Sequence, residues 1–320
     1  MKKLNGLEMS KRYIAHIGCI ESCLGYLGVK ISTPWIYGGT GHAFINNIPE
    51  DLCPSGPTAW NTDMLFQLAP NLGYKVEGIK VSKEDAGENF SEKQKEVWDM
   101  VRASINQSLP CYGFQLNSPD FYVINGYDDT GYFYLRNPLY YGSCEGHLEW
   151  QKLGTCDVEV LEVYSVKTCD PAPIEKAVKD AFIMVLKHGK SKKRLAGDKW
   201  VTGLDGLLVW ANALEAGNAM IDGNAYNTIC WHECREMAVE FLKEAKIRLD
   251  GKCNNIFGEA IEYYTISRDS LKRLKEICPE RENADWKTKF ASREGAALVR
   301  EVYEAENKGL GCLKQISTRL

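Results

Sequence analysis

The spacing of apolar residues changes near residue 170, and this change most constrains what the chain can fold into. Before that point, short alternating runs such as FYVINGYD and GYFYLRN flank turns, which is typical of strands. After it, long segments repeat apolar residues at helical spacing, starting with PIEKAVKDAFIMVLKH. The Pro-rich linker at 168–173 separates the two patterns. The sequence therefore predicts an α+β domain over 1–168 and an all-α helical bundle over 173–320.

Within these domains the local signals predict individual elements. In the first domain we expect helices at 17–28, opening after Gly18, around 60–68 and at 92–107, a strand at 75–82, and a loop or tight turn at the glycines 38–41. In the second domain we expect helices at 173–188, 203–216, 225–249, 256–277 and 293–308.

Composition excludes several classes of function. The chain of 320 residues has a formal net charge of −4 and a pI near 5.9, so it lacks the dense positive field that nucleic acids and anionic membranes require. No segment reaches the roughly 20 apolar residues of a membrane span. The N-terminal lysines precede no apolar run, so no secretory signal is expected. These features predict a cytoplasmic protein.

The twelve cysteines are scattered singly and form no CxxC pair. In a cytoplasmic chain of this length they are expected to be reduced and mostly buried. In CWHEC, Cys230 and Cys234 share a helix face, but His232 points roughly 200° away from them. We therefore expect neither a metal nor a cofactor, and the question becomes whether one cysteine is a nucleophile.

Cys19 is the first candidate nucleophile. It follows Gly18, where the helix is expected to open, and unpaired N–H groups at a helix start favour the thiolate. Cys23 lies one turn further on and is expected to pack.

The general base must be one of five histidines. His42 follows the glycine turn, whose small residues would leave space for a substrate, and it is the preferred candidate. His16 is close to Cys19 in sequence, but we expect the turn at Gly18 to aim it away. His147 is held in reserve.

The segment VINGYDDTGYFYLRNP at 123–138 has the pattern of a strand, a turn and a second strand. Together with GYLGVKISTPWIYGGTGHAFINNI at 25–48, this segment resembles papain-like peptidases that cleave double-glycine leaders and, more closely, the butirosin biosynthesis protein H family. The resemblance covers about residues 12–165, with a weaker likeness over the helical remainder. It implies a papain-like fold in which a cysteine opens a helix and a later strand completes the site.

The chain departs from the peptidase pattern at two positions. Asp120 stands where the resemblance places a strand histidine, and Asn137 stands where it places an aspartate before proline. The peptidase triad is therefore not transferred intact. We predict Cys19 as nucleophile, His42 as base and acid, and Asp120 as the carboxylate that orients the base. The alternative is that Asp120 only caps the strand in a surface turn.

An acyl-enzyme mechanism also needs donors for the oxyanion and a surface for the substrate. The backbone amides of Gly39 and Gly41 and the side-chain amide of Gln115 are candidate donors. Aromatic residues of the first domain either build its core or line a groove for an acyl group. The aromatic candidates for substrate binding are Trp35, Tyr37 and Trp60.

An acylated cysteine passes its acyl group to water or to an amine, and the same residues serve both reactions. The butirosin-type resemblance implies transfer from a carrier-protein thioester to a small amine, as does a likeness to amide synthases of the closthioamide type. We therefore predict a cysteine-dependent acyltransferase of natural-product biosynthesis. The alternatives are a cysteine peptidase or thioesterase, and a binding module without activity. The helical domain could be a lid, a carrier-docking surface or a homodimer interface.

Overall fold

The computed structural model describes residues 1–59, 62–142, 144–189, 199–278 and 293–320. Its strands are β1 (Lys2–Lys3), β2 (Asn47–Pro49), β3 (Tyr74–Ser82), β4 (Cys111–Phe114), β5 (Phe121–Tyr127), β6 (Gly131–Leu135), β7 (Glu145–Glu149), β8 (Val160–Thr168) and β9 (Trp200–Thr202).

Eleven helices lie within those ranges; short 3₁₀ turns at His42–Phe44, Ala69–Leu72, Gly87–Asn89 and Trp150–Lys152 accompany them. The helices are α1 (Ala15–Tyr26), α2 (Thr33–Gly39), α3 (Asp63–Leu68), α4 (Lys83–Ala86), α5 (Phe90–Asn106), α6 (Pro138–Tyr141), α7 (Ile174–Gly189), α8 (Gly203–Ala216), α9 (Ile221–Arg248), α10 (Asn254–Ile277) and α11 (Arg293–Arg319). None of these helices is both long and apolar enough to cross a membrane.

The chain divides into two compact units that differ from the predicted domains in one segment. The first unit contains residues 1–31 and 73–171, and the second contains 32–72 and 172–320. The chain enters the second unit for the last time at residue 172, within the predicted linker at 168–173. Residues 32–72, however, which we assigned to the first domain, pack with the helices of the second unit.

The first unit is an antiparallel sheet covered by helices. Its strands are hydrogen-bonded in the order β3-β8-β4-β5-β6-β7, and β1 pairs with β5. On one face of the sheet, Phe121 of β5 stacks on His16 of α1. On the opposite face, Tyr132 of β6 contacts Trp98 of α5. The two helices thus cover opposite faces, which explains why six of the seven residues of β5 are buried. The predicted α+β class with an antiparallel sheet is confirmed.

The second unit is mainly helical rather than all-α. Helices α7 to α11 form most of it, and α9 packs against α2 and α10. A two-stranded antiparallel pair, in which Asn47 lies opposite Thr202 and Pro49 opposite Trp200, accompanies the helices. The helix predicted at 203–216 matches α8 in both bounds, and the others agree within a few residues except that α11 continues to Arg319.

A buried ion pair ties the segment after α2 to the helices of the second unit. Arg235 of α9 binds Glu306 of α11 through Nε at 2.6 Å and Nη2 at 2.9 Å, and both side chains are under 5% exposed. The guanidinium also donates to the carbonyl of Ile45 at 2.6 Å and to that of Ala43 at 3.4 Å. Ser267 of α10 donates to Glu306 at 2.7 Å. These contacts explain physically why residues 32–72 belong to the second unit.

We expect Glu306→Gln to lower the free energy of unfolding by about 3–5 kcal/mol, because it leaves the Arg235 charge buried without its counter-charge. Urea unfolding followed by tryptophan fluorescence measures the change. The matched control is Lys243→Ala, which breaks an exposed pair with Glu240 and should change stability by less than about 1 kcal/mol. A loss in Glu306→Gln no larger than in the control would contradict the role given to the buried pair.

Candidate active site

Cys19 lies in the second turn of α1 rather than at its start. The helix begins at Ala15, and the N–H of Gly18 already bonds the carbonyl of Ile14 at 3.0 Å. The prediction that the helix opens after Gly18 is therefore wrong. Gly18 has a packing reason instead, because a Cβ at this position would lie 3.2 Å from the Cβ of Arg12. Cys19 accordingly lacks the unpaired amides that were expected to favour its thiolate.

The thiol of Cys19 is enclosed in the first unit. The residue has no exposed surface, and its Sγ lies 3.8 Å from Sδ of Met9. Burial raises the pKa of Cys19 well above its usual range, and the neighbouring groups Cys23 and Asp120 raise it further. Cys19 is therefore a protonated thiol at neutral pH and needs a proton acceptor before it can attack.

Asp120 is the charged group that the structure places beside this thiol. It ends the β4–β5 hairpin loop, where its N–H donates to the carbonyl of Ser118 at 2.7 Å and its carboxylate accepts the N–H of Phe121 at 2.8 Å. Burial raises the pKa of Asp120 to about 7, although part of the residue remains exposed. Asp120 thus does shape the turn, as the alternative interpretation held, and its charge also acts on Cys19.

Gln115 lies opposite Asp120 across the mouth of the same hairpin. Its backbone N–H donates to the carbonyl of Asp120 at 2.8 Å, and its φ of +59° is a strained value for a residue other than glycine. The side chain has no exposed surface; Oε1 accepts the N–H of Val158 at 3.2 Å, while the buried Nε2 has no hydrogen-bond partner. A buried amide donor without an acceptor costs about 1–3 kcal/mol.

His16 was misjudged at the sequence level. Because α1 runs through Gly18 without a turn, His16 and Cys19 lie three residues apart on one helix and share a buried face. The His16 ring stacks on Phe121 with centroids 4.2 Å apart, and its Nε2 lies 3.0 Å from the hydroxyl of Tyr112. The i, i+3 spacing of histidine and cysteine was the available signal. For Tyr112 we find no comparable signal in the sequence.

His147, the reserve candidate, lies on β7 beside the β5–β6 turn. Its Nε2 is 3.3 Å from Oδ1 of Asp128 and 3.4 Å from the hydroxyl of Thr130. Asp128 follows β5 and Asp120 precedes it, so the seven-residue strand separates the two carboxylates by roughly 25 Å. His147 is thus far from the Asp120 end of the sheet.

His42 belongs to the second unit, unlike Cys19 and Asp120. It opens a 3₁₀ turn, has no exposed surface, and places its Nδ1 3.6 Å from Sγ of Cys234 on α9. Burial lowers the pKa of His42 to about 3. An imidazole with this pKa is a weak proton acceptor at neutral pH, which counts against the role of base that we predicted for it.

The glycines before His42 accommodate the core of the second unit. Gly39 ends α2, and a Cβ there would lie 2.4 Å from Leu72; a Cβ at Gly41, whose φ is +77°, would lie 2.0 Å from Met184. Side chains of the unit therefore fill the space that was expected to be left for a substrate.

The aromatic residues that were predicted to line a substrate groove are also part of the core of the second unit where they are described. Trp35 and Tyr37 are buried in the second unit: the Trp35 ring lies 5.1 Å from that of Phe241, and the Tyr37 hydroxyl donates to Glu233. Trp60 lies outside the described residues. Of the residues chosen from the sequence, the first unit therefore brings Cys19, Asp120 and Gln115 to one end of its sheet.

No cluster of three or more His, Cys, Asp or Glu side chains suited to a metal ion occurs in the described ranges. Comparison with known proteins adds no assignment: no protein-family model and no curated protein matches the sequence.

The raised pKa of Asp120 predicts a pH dependence of stability. A carboxyl whose pKa is about 7 in the folded chain and 3.8 in the unfolded chain binds its proton more tightly when folded. Its contribution is therefore fully present below about pH 4 and is lost as the pH rises to about 7. We expect the urea midpoint of Asp120→Asn to fall less than that of the native protein across this interval. If the urea midpoints of the two proteins change in parallel with pH, Asp120 has the pKa of an ordinary carboxylate and the prediction is wrong.

Proposed function

We propose that the protein is a cysteine-dependent acyltransferase that forms amides, with Cys19 as nucleophile. The observation that carries this proposal is the grouping of a buried thiol, a carboxyl with a pKa of about 7 and a buried amide donor without a partner. The three groups belong to Cys19, Asp120 and Gln115. They supply the nucleophile, the proton acceptor and the oxyanion donor of acyl transfer.

The papain-like fold belongs to the same proposal. Its support is a cysteine-bearing helix, α1, that packs on β5 of an antiparallel sheet, with Asp120 directly before that strand. Asp120 occupies the position at which the resemblance implies a histidine. We propose that it takes the role of proton acceptor itself, in place of orienting His42, because its pKa of about 7 suits proton transfer at neutral pH.

The reaction has two steps. As Sγ of Cys19 attacks the carbonyl carbon of a thioester, the thiol proton passes to the Asp120 carboxylate, and the carbonyl oxygen gains negative charge near Nε2 of Gln115. The intermediate expels the donor thiolate, which takes up the proton and leaves the acyl group on Cys19. An amine then attacks this acyl-enzyme, its surplus proton passes by way of Asp120 to the departing Cys19 sulfur, and the amide is released.

Burial of the thiol favours transfer over hydrolysis. Cys19 has no exposed surface, so bulk water does not contact its sulfur. An enclosed acyl-enzyme is protected from water until an amine with binding energy of its own reaches it. We propose an acyl or peptidyl carrier protein as the thioester donor, a small amine as the acceptor, and the cytoplasm as the location.

The decisive experiment is acylation by thioesters. Incubation with acyl-loaded carrier proteins and with simple acyl thioesters, followed by intact-protein mass spectrometry, should show one acyl adduct that is absent in Cys19→Ala. Gln115→Ala should form the adduct about 10²–10³ times more slowly, because it removes one oxyanion donor. The control is Cys156→Ala, which removes a half-buried cysteine and should acylate normally.

The products separate the alternatives. Release of the free acid at the same rate with and without amines would identify a thioesterase or peptidase. Absence of an adduct with every thioester, together with tight retention of a ligand, would identify a binding module.

A second comparison tests the proton acceptor. Asp120→Asn should slow acylation by about 10²–10⁴, whereas His42→Asn should lower the melting temperature and retain acylation at temperatures where it is folded. Single-turnover rates measured beside circular dichroism melts give both quantities. Loss of acylation in a folded His42→Asn variant, with Asp120→Asn unaffected, would restore the triad predicted from the sequence.

A further inference from the structure

An arginine and a set of hydroxyl groups adjoin the loop that carries Asp120. We call this set the tyrosine–arginine patch; it consists of Arg136, Tyr141, Tyr122 and Ser118. Arg136 follows β6, Tyr141 ends α6, Tyr122 lies on β5 and Ser118 lies in the β4–β5 loop. Because the N–H of Asp120 donates to the carbonyl of Ser118 at 2.7 Å, the patch is one backbone hydrogen bond from the proposed proton acceptor.

Two hydrogen bonds link the three hydroxyl groups of the patch. The hydroxyl of Ser118 lies 2.7 Å from that of Tyr122 and 3.1 Å from that of Tyr141. Two contacts use two of the three hydroxyl protons, so one proton is left for an acceptor outside the chain. The backbone N–H of Ser118 also donates to the Tyr122 hydroxyl at 3.1 Å. Tyr141 is 40% exposed and Tyr122 only 1%, so a ligand would reach these hydroxyl groups from the Tyr141 side.

Arg136 provides the positive charge of the patch. Its guanidinium carbon lies 5.7 Å from the ring centre of Tyr141 and 6.0 Å from that of Tyr134, and a side-chain hydrogen bond with Tyr134 also orients the group. Its Nε is buried without a hydrogen-bond partner, and in the described part of the chain it forms no ion pair with a carboxylate. A guanidinium positioned by aromatic rings and left without a counter-charge is suited to carboxylate or phosphate oxygens.

The patch is held in place by a buried asparagine. Asn137 donates through Nδ2 to the carbonyl of Arg12 at 2.8 Å and accepts the N–H of Leu139 at 3.1 Å, which starts α6 and positions Tyr141. The Arg12 carbonyl belongs to the segment that leads into α1, the helix of Cys19. The patch and the nucleophile are thus tied to the same part of the first unit.

We propose that the tyrosine–arginine patch binds an anionic group, a phosphate or a carboxylate, of the acyl substrate. The Arg136 guanidinium pairs with the oxyanion, and the hydroxyl of Tyr141 donates a second hydrogen bond to it. The assignment to the acyl substrate rests on the proposed function, whereas the anion site itself does not. A phosphate would belong to the prosthetic arm of the carrier protein that bears the acyl group, and a carboxylate would belong to the acyl chain itself.

Calorimetric titration of the full-length protein tests the site without requiring turnover. The probes form two matched pairs, phosphopantetheine with pantetheine and glutarate with glutaramide, so that each pair differs in charge. We expect one charged probe to bind at least ten times more tightly than its neutral partner. Arg136→Met should abolish that preference, Arg136→Lys should retain part of it, and Tyr141→Phe should weaken it.

The control is Arg102→Met. Arg102 also lies over aromatic rings in the first unit, with its guanidinium carbon 5.4 Å from the Trp98 ring centre and 5.5 Å from that of Tyr127, but it lies 3.9 Å from the carboxylate of Asp99. Its loss should leave the preference unchanged. Melting curves of all variants separate loss of binding from loss of folding.

The probe pair in which the charged member binds more tightly identifies the anion as a phosphate or a carboxylate. Equal binding of charged and neutral probes, or a preference that survives in folded Arg136→Met, would overturn the proposal. If the preference depends on Arg136 but no thioester acylates Cys19, the anion site stands and the acyltransferase proposal fails. If Cys19 is acylated and Arg136→Met acylates equally well with charged donors, the patch is not part of the acyl site.

Discussion

The buried ion pair between Arg235 and Glu306 is the interaction on which the organisation of this chain depends. A guanidinium under 5% exposed needs both a counter-charge and acceptors for its remaining N–H groups. Glu306 supplies the charge, and the carbonyls of Ala43 and Ile45 supply the acceptors. Residues 32–72 therefore fold with the helices that follow residue 172 rather than with the segments that flank them in sequence.

This partition separates His42 from Cys19 and Asp120, which belong to the first unit. His42 is drawn into the second unit, where burial lowers its pKa to about 3 and Cys234 lies beside it. Burial has the opposite consequence for Asp120, because it disfavours the charged form of an acid and raises its pKa to about 7. The same physical effect thus weakens the expected base and brings a carboxyl into the range where it can exchange protons at neutral pH.

The proposed site combines enclosure with two donors that lack acceptors. Nε2 of Gln115 is buried without a partner beside the mouth of the β4–β5 hairpin, and Nε of Arg136 is buried without one after β6. Unsatisfied buried donors oppose folding unless a ligand or water provides the acceptor. In the proposal, Gln115 would receive the oxygen of the reacting carbonyl and Arg136 would receive the anionic group.

Periodicity and residue type alone determined the α+β class and most helix positions after residue 172, because these depend on local patterns. Tertiary structure decided the rest. Arg12 packs closely beside Gly18 inside the helix that begins at Ala15, and the segment of His42 is held by a charge pair between the distant residues Arg235 and Glu306. A local pattern contains no information about which distant side chain fills the space beside a glycine or neutralises a buried charge. Only the packed core decides both.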